Sequence, residues 1–382
     1  MQLVYISPVP LTSFAQRPHH FVEWFHHRFN ARVLWLDPGT SRLPRAADWR
    51  RLFRREHSFL GPSWASESWI EHLVFPSLPL EPLALGRAIN RYRWRKALLA
   101  VDSFVTTDTW LVAGKPCALA LELGARYPRQ SLVFDAMDSV PAFSQGRSNA
   151  WMQRAERELV QRANWIVTSS TALEQRFAAQ GSKVRKAMNG LDVPRVQVRD
   201  AIATHLKPVM GYVGVMASWF DWEAVIRLAV SRPDVEIRLI GPCEQMPNLR
   251  LPPNIHLLGA IAHDAVYEVM SEFTVGLIPF RINALTGYVD PVKYYEYRAV
   301  GLPVLSTKFG EMKTRGRQDG VFFFEDLCGD PSEDDFWCAR ATAEQIAEFC
   351  AVNSWGRRFD ALDFFYPHQV VEPPVQRPFS RK

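Results

Sequence analysis

Lys293 and Glu296 stand three residues apart at the start of a short predicted helix, and they carry the clearest chemical signal in the chain. Asp290 is a good N-cap residue, and Pro291 suits the first helical position, where its missing N–H costs nothing. The helix is predicted over residues 291–300, with Val292, Tyr295, Ala299 and Val300 on one apolar face. Gly301 ends it, Pro303 bars its continuation, and Val304 and Leu305 read as a buried strand. Unpaired N–H groups and the helix dipole favour phosphate at such an amino end. Lys293 adds positive charge there, and a carboxylate one turn on, Glu296, can accept hydrogen bonds from ribose hydroxyls. The pattern suits a nucleoside diphosphate. It equally describes a surface ion pair on an ordinary α/β helix, an arrangement that is common and worth little.

A second signal lies in the first half. Ser131 to Phe134 is predicted as a strand ending in Asp135-Ala136-Met137-Asp138, and Ser103 to Thr107 as a strand with Asp108 at its carboxyl end. Acids at the carboxyl ends of parallel strands face the ligand crevice. One within reach of an acceptor hydroxyl can serve as general base. Asp138 is the first candidate and Asp135 the second; helix or turn capping by both is the other reading. Gly211-Tyr212-Val213-Gly214, followed by Val215, leaves a strand for a loop, where glycine lets backbone approach a phosphate. Arg17-Pro18-His19-His20 follows the loop after the first strand.

The elements that position these residues form two α/β units. The first opens with a strand at Gln2–Ile6, a helix over His19–Phe29 and a strand at Arg32–Leu36. It continues through a helix over Asn149–Ala163, a strand at Trp165–Thr168, a helix capped within Ser169–Thr171, and a strand at Val184–Met188 that ends in Asn189-Gly190-Leu191-Asp192. Residues 194–205 read as a linker. Strands are then predicted at Pro208–Val213, Glu236–Ile240, Ile255–Leu258 and Phe273–Ile278, with Asp221 capping a helix from Trp222 and a further helix over His263–Met270. Ser354 is expected to cap a last helix over Trp355–Phe364. The expected organisation is a first Rossmann-like domain over 1–200, a second over 206–352, a helix over 353–365, and an extended tail over 366–382.

Charge is unevenly shared. The first 200 residues hold 27 Lys and Arg against 17 Asp and Glu, and the remainder 18 against 23, within a net charge of +5. The segment 41–96 mixes Arg42, Arg45, Arg50, Arg51, Arg54, Arg55, Arg87, Arg91, Arg93, Arg95 and Lys96 with aromatics such as Trp49, Trp64, Trp69 and Trp94. That mixture suits an anionic membrane surface, or a solvated helix face over core aromatics; nucleic acid is not the expected partner. The five cysteines form no Cys-x-x-Cys pair, which argues for a reduced cytoplasmic setting without a zinc site. The opening residues lack the pattern of a signal peptide, and no apolar run approaches the roughly 20 residues that span a bilayer.

The stretch Pro291–Thr307, P-V-K-x-x-E-Y-x-A-x-G-x-P-V-x-S-T, resembles the donor-nucleotide helix of GT-B glycosyltransferases, closest to bacterial family-4 and teichuronic-acid-type enzymes. The Gly-Tyr-Val-Gly loop with its later Trp-Phe-Asp, Arg-Pro-His-His and Asn-Gly-Leu-Asp are similar to motifs of the same enzymes. The resemblance implies two Rossmann-like domains facing across a cleft, with a C-terminal helix crossing back. It implies sugar transfer from a nucleotide-diphosphate donor to a hydroxyl of a lipid-linked or oligosaccharide acceptor. The setting is bacterial surface polysaccharide assembly (capsule, exopolysaccharide or lipopolysaccharide) at the inner face of the membrane. Pro291, Val292, Lys293, Glu296, Gly214 and Val215 would then hold the nucleotide, and Arg17, His19 and His20 would face the cleft. Many family-4 enzymes carry a glutamate eight residues before the ribose glutamate; here that residue is Tyr288. Arg281, Asn283, Thr286 and Tyr288 are left to hold sugar or phosphate. In the similar xanthan-type glucuronosyltransferases an N-terminal-domain aspartate is the base, the role given to Asp138 or Asp135 if the enzyme inverts; a retaining enzyme can use the departing phosphate. No Asp-x-Asp of the metal-dependent type occurs, so neither a metal nor any other cofactor is expected. A sugar-nucleotide epimerase and a catalytically silent assembly subunit are the alternatives.

Overall fold

A computed structural model describes residues 1–39, 41, 43, 62–143, 145–192, 207–262, 265–327 and 334–366. The arginines between 42 and 55, the 194–205 linker and the tail beyond Tyr366 lie outside the described residues.

The first sheet is built from β1 (Gln2–Ile6), α1 (Arg17–Phe29), β2 (Arg32–Asp37), β3 (Ile70–Val74), α2 (Ala84–Arg93), α3 (Arg95–Phe104), β4 (Thr109–Ala113), α4 (Ala118–Arg126), β5 (Leu132–Ala136), α5 (Gly146–Arg162), β6 (Trp165–Thr168), α6 (Thr171–Phe177) and β7 (Val184–Lys186). Its seven strands run parallel in the order β3-β2-β1-β4-β5-β6-β7. Leu3, Val4, Tyr5 and Ile6 are fully buried, because a parallel sheet is covered on both faces. The second sheet comprises β8 (Val209–Val213), α7 (Trp222–Ser231), β9 (Glu236–Ile240), β10 (Ile255–Leu257), α8 (Val266–Ser271), β11 (Val275–Ile278), α9 (Val292–Ala299), β12 (Val304–Ser306) and β13 (Val321–Phe323). It is also parallel, in the order β10-β9-β8-β11-β12-β13. Strand order reverses between β1 and β4 and again between β8 and β11, and ligands of open α/β sheets bind outside the carboxyl ends of strands at such points.

The carboxyl-end loops of the two sheets meet. Ser170 Oγ, after β6, donates to the Tyr288 carbonyl after β11 (2.7 Å). Glu311, after β12, accepts from Thr171 N (2.8 Å) and Thr171 Oγ1 (2.9 Å). The chain then returns. α10 (Ala343–Asn353) packs on α9, and α11 (Trp355–Asp360) packs on α1. Phe359, Phe364 and Phe365 enter the core of the first sheet beside Phe21 and Trp24.

Four readings change. The helix predicted over Trp355–Phe364 stops at Asp360 and resumes as a 3-10 turn over Asp363–Phe365; Ser354 precedes it without a side-chain cap bond. The strand predicted at Ser103–Thr107 is instead the last two residues of α3 and the turn that follows, because Leu98, Val101 and Phe104 recur at helical spacing and bury one face. The strand begins only at Thr109, so Asp108 sits at its amino end, away from the crevice, with its carbonyl accepting from Gln2 N (3.2 Å). The predicted helix start at Pro291 moves to Val292, and Asp290 makes no cap. Asp221 does cap α7, accepting from Ala224 N at 3.0 Å.

Candidate functional site

The second-domain side forms around α9. Its Tyr297 Oη accepts from Val213 N at the end of β8 (3.1 Å), which ties the helix to the strand that leads into Gly214. Gly214 N donates to Ile240 O (2.8 Å), and the turn rests on Gly241 at φ +134°, where an added Cβ would stand 2.1 Å from Gly214 O. Only glycine allows that approach. Val215 is partly exposed beyond it, and its carbonyl accepts from Tyr212 Oη (3.0 Å). The loops after β8 and β11 are stitched together by Asp221 N to Pro279 O and Arg281 N to Trp219 O, both 2.7 Å. On α9, Lys293 Nζ and Glu296 Oε2 pair at 2.6 Å with their side chains 25% and 13% exposed. The Glu296 charge reaches the Tyr212 and Tyr267 phenols, where, behind burial, it adds to the upward shift of both.

The helix is aimed from beneath. Asp290 is fully buried; its carboxylate accepts from Arg315 Nη2 (2.7 Å), Tyr295 Oη (2.8 Å) and, across the domain boundary, Asn189 N (3.0 Å). Asn189 Nδ2 donates to the Asp290 carbonyl (2.7 Å). Burial raises the Asp290 carboxyl while Arg315 pulls the other way. Pro291 is buried and Val292 packs against the core of the first domain, so α9 starts at the boundary between the sheets.

The first-domain side holds two aspartates with different fates. Asp135 lies inside β5, wholly buried, not at an open strand end. It accepts from Arg17 Nε (3.0 Å), Arg17 Nη2 (2.9 Å) and Tyr5 Oη (3.1 Å), while Arg17 Nη1 donates to Ala187 O (2.8 Å). A carboxylate closed in this way has no edge left for a substrate, so Asp135 and Arg17 are framework. Asp138, beyond the strand, is half-buried; loss of water raises its carboxyl to about 7, against the pull of Arg17. A base is most effective with a pKa near the working pH.

The two histidines are also withdrawn from ligand contact. His19 Nδ1 accepts from Gln16 N (3.1 Å), and the other ring nitrogen contacts Leu11 O (3.3 Å). Burial lowers His19 to about 4, so the ring is neutral and staples the loop after β1. His20 is buried, stacked on Trp355 (centroids 4.9 Å apart) with Asp192 at 3.4 Å. These side chains fix where α1 and α11 sit.

The loop before α9 divides. Thr286 is buried and its hydroxyl bonds to Arg281 O; Asn283 Oδ1 accepts from Leu285 N (2.9 Å) and Thr286 N (3.1 Å), so both shape the loop from within. Arg281 is exposed on a separate groove of about 560 Å³, beside Trp222 and Gln245; neither Lys293 nor Glu296 lines it. Tyr288 instead lines a polar groove of about 370 Å³ between the domains, with Ser139, Gln153, Glu156 and Arg176. Arg176 lies 5.5 Å from the Tyr288 ring centroid, donates to Ser139 Oγ (2.9 Å) and pairs with Glu156, whose Oε1 has no hydrogen-bond partner. This groove adjoins Asp138 in the chain. Among the described residues no group of His, Cys, Asp or Glu gathers to hold a metal. Arg176, Glu311 and Arg315 were not singled out from the sequence and carry no local signal; Asn189 was marked only as part of its turn motif.

No family model matches the chain. It is 24% identical over 231 residues to TuaH of Bacillus subtilis (strain 168), a teichuronic acid biosynthesis glycosyltransferase whose own assignment is provisional. The match spans 54% of this chain and 57% of that relative, just over half of each. Among solved structures, HepE of Anabaena in complex with UDP and glucose aligns with a TM-score of 0.63 at 14% identity, over 96% of this chain and 99% of its own. The lipopolysaccharide outer core galactosyltransferase WaaB aligns with a TM-score of 0.63 at 13% identity over the same shares. An Escherichia coli structure bound with UDP-2-fluoro glucose aligns at 0.59 and 11% identity, over 96% of this chain and 98% of its own. With two parallel sheets meeting at their carboxyl-end loops, these likenesses establish an α/β GT-B fold.

Proposed function

We propose that the protein is a glycosyltransferase that moves a sugar from a nucleotide-diphosphate donor to an acceptor hydroxyl in bacterial surface polysaccharide assembly. The observation that carries this reading is the partly exposed Lys293–Glu296 pair on a helix that starts at the domain boundary and is bonded to the strand leading into Gly214. In this reading the donor diphosphate displaces the Glu296 carboxylate from Lys293. The ammonium and the amino end of α9 stabilise the charge that develops on the leaving group. Glu296, released, accepts from the ribose hydroxyls. No bound cation enters this step, and activity retained in a chelator is its check.

The Tyr288–Arg176 groove, of about 370 Å³, receives the sugars at the boundary. Asp138 takes the proton of the acceptor hydroxyl as the hydroxyl oxygen bonds to the anomeric carbon and the diphosphate leaves. This route inverts the anomeric centre, so the anomer of the product is a direct check on it. The acceptor class is a lipid-linked saccharide at the inner face of the membrane, supported by the excess of cations in the first 200 residues. No helix among the described residues is long and apolar enough to cross a membrane.

The experiment is a thermal shift against UDP, GDP, CMP and ADP sugars, UDP sugars first because solved neighbours hold UDP. A ligand bound only by the folded state raises the melting point. A shift with one nucleotide class, reduced in Glu296→Ala, supports the donor site. A folded sample that answers none of them overturns it and favours a silent assembly subunit; conversion of a sugar nucleotide without acceptor favours an epimerase.

A further inference from the structure

Helices α2 and α3 run on through Trp94, which keeps right-handed helical angles (φ −76°, ψ −10°). Their inner side is firmly held. Asn90 bonds both the N–H (2.7 Å) and the C=O (3.0 Å) of Leu78, and Trp94 Nε1 donates to Ser77 Oγ (3.0 Å). Their outer side carries four exposed apolar side chains. Leu85, Ile89, Tyr92 and Leu99 are 73, 36, 67 and 66% exposed. At 3.6 residues per turn they fall in one strip along the helix axis. A helix of a water-facing surface ordinarily turns such a strip inward.

Charge surrounds the strip. Between Leu83 and Val101 there are five cations, Arg87, Arg91, Arg93, Arg95 and Lys96, and no acid. Arg93 and Arg95 flank the strip on opposite sides and Lys96 lies within it. Arg91 is engaged by Glu122 (2.8 Å), and the Arg95 guanidinium lies over the Tyr92 ring (4.5 Å to its centroid).

We propose that this face docks on a bilayer with anionic headgroups, the four apolar side chains entering the interface and Arg93, Arg95 and Lys96 meeting lipid phosphates. An apolar strip edged by cations is the pattern that lies in a membrane surface. A second copy of the chain would set two such cation rows against each other, which like-charge repulsion opposes. Ser77 and Leu78, which anchor the helix, follow the carboxyl end of β3, the same end of the sheet that carries Asp138. A lipid-held acceptor is thereby brought to the cleft; that purpose rests on the proposed function, whereas the docking argument does not.

The test is co-sedimentation of the full chain with vesicles of phosphatidylcholine alone or mixed with phosphatidylglycerol. Binding to the anionic vesicles is expected, with part of it surviving about 1 M salt, where the Debye length is ~3 Å. Arg95→Gln with Lys96→Gln weakens binding to anionic vesicles by about tenfold at low salt. Leu85→Gln with Ile89→Gln removes the salt-resistant part. Both pairs are exposed and leave the melting point and its nucleotide-induced shift unchanged. No binding to anionic vesicles by the folded wild type, or variants that bind as it does, overturns the proposal. So does a dimer in light scattering that the apolar pair dissociates while vesicles bind nothing. A nucleotide shift without vesicle binding sinks the docking alone; vesicle binding without a shift sinks the donor site alone.

Discussion

The two walls of the cleft handle their polar residues in opposite ways. On the first-domain wall, Arg17, Asp135, Tyr5 and His19 are buried and spend their hydrogen bonds on one another or on backbone, whereas Asp138, beyond the end of β5, is only half-buried. On the second-domain wall the rigid part is hidden one layer down, in Asp290, Arg315, Tyr295 and Asn189, while Lys293 and Glu296 stay partly exposed and pair with each other. A site needs both: groups fixed by complete satisfaction, and groups whose present partner a ligand can replace. Residue type does not separate the two roles; burial does.

The contrast is sharpest at the two aspartates. Asp138→Asn is expected to lower transfer by about 10²–10⁴-fold, the usual weight of a general base, while the thermal shift with nucleotide remains. In the wild type, transfer rises with pH through the Asp138 pKa of about 7, because the carboxyl must be ionised to take a proton. A flat pH–rate profile would break the assignment.

Arg17→Leu is expected to act on the fold instead. Removing one partner of a buried pair leaves the other charge uncompensated, at a cost of about 3–5 kcal/mol in denaturant unfolding. A variant of full stability with lost transfer would put Arg17 back among the ligand contacts.

Glu296→Ala removes a charged acceptor from the donor. Affinity for the nucleotide sugar should fall by about 10–100-fold, measured by calorimetry, the worth of a hydrogen bond to a charged group. Unchanged affinity would reduce the Lys293–Glu296 pair to a surface ion pair.

The smallest effect is on stability. The folded carboxyl of Asp138 is raised to about 7, above its ordinary value of 3.8, so its contribution to stability is present at low pH and is lost as pH rises toward and through 7. Asp138→Asn avoids burying that charge and is expected to raise the melting temperature by about 2–4 °C at alkaline pH, with little change at acid pH. A lower melting temperature at every pH would make Asp138 part of the framework too.

Much of the fold is legible in the chain. Apolar runs such as Leu3–Ile6 and the Pro291, Gly301 and Pro303 punctuation place strands and α9 within a residue or two, because local sterics and capping act over a few residues. Asp221 as a cap belongs to the same class. The strand expected at Ser103–Thr107 failed because its β-branched residues border a helix whose apolar period is visible only once Leu98 and Val101 are counted. The site was half legible. Lys293 and Glu296 lie one helical turn apart, so the sequence alone puts them on one face.

What the sequence by itself determined is therefore local: two runs of alternating strand and helix, helix α9 with its two charged residues, and the absence of acids between Leu83 and Val101. The tertiary structure decided which polar groups are spent. Asp135 meets an arginine 118 positions away, and Asp290 meets Asn189 from 101 positions away. Whether a carboxylate is a base or a brace depends on the water left around it, and that is set by which distant segments pack over it, not by its neighbours in the chain.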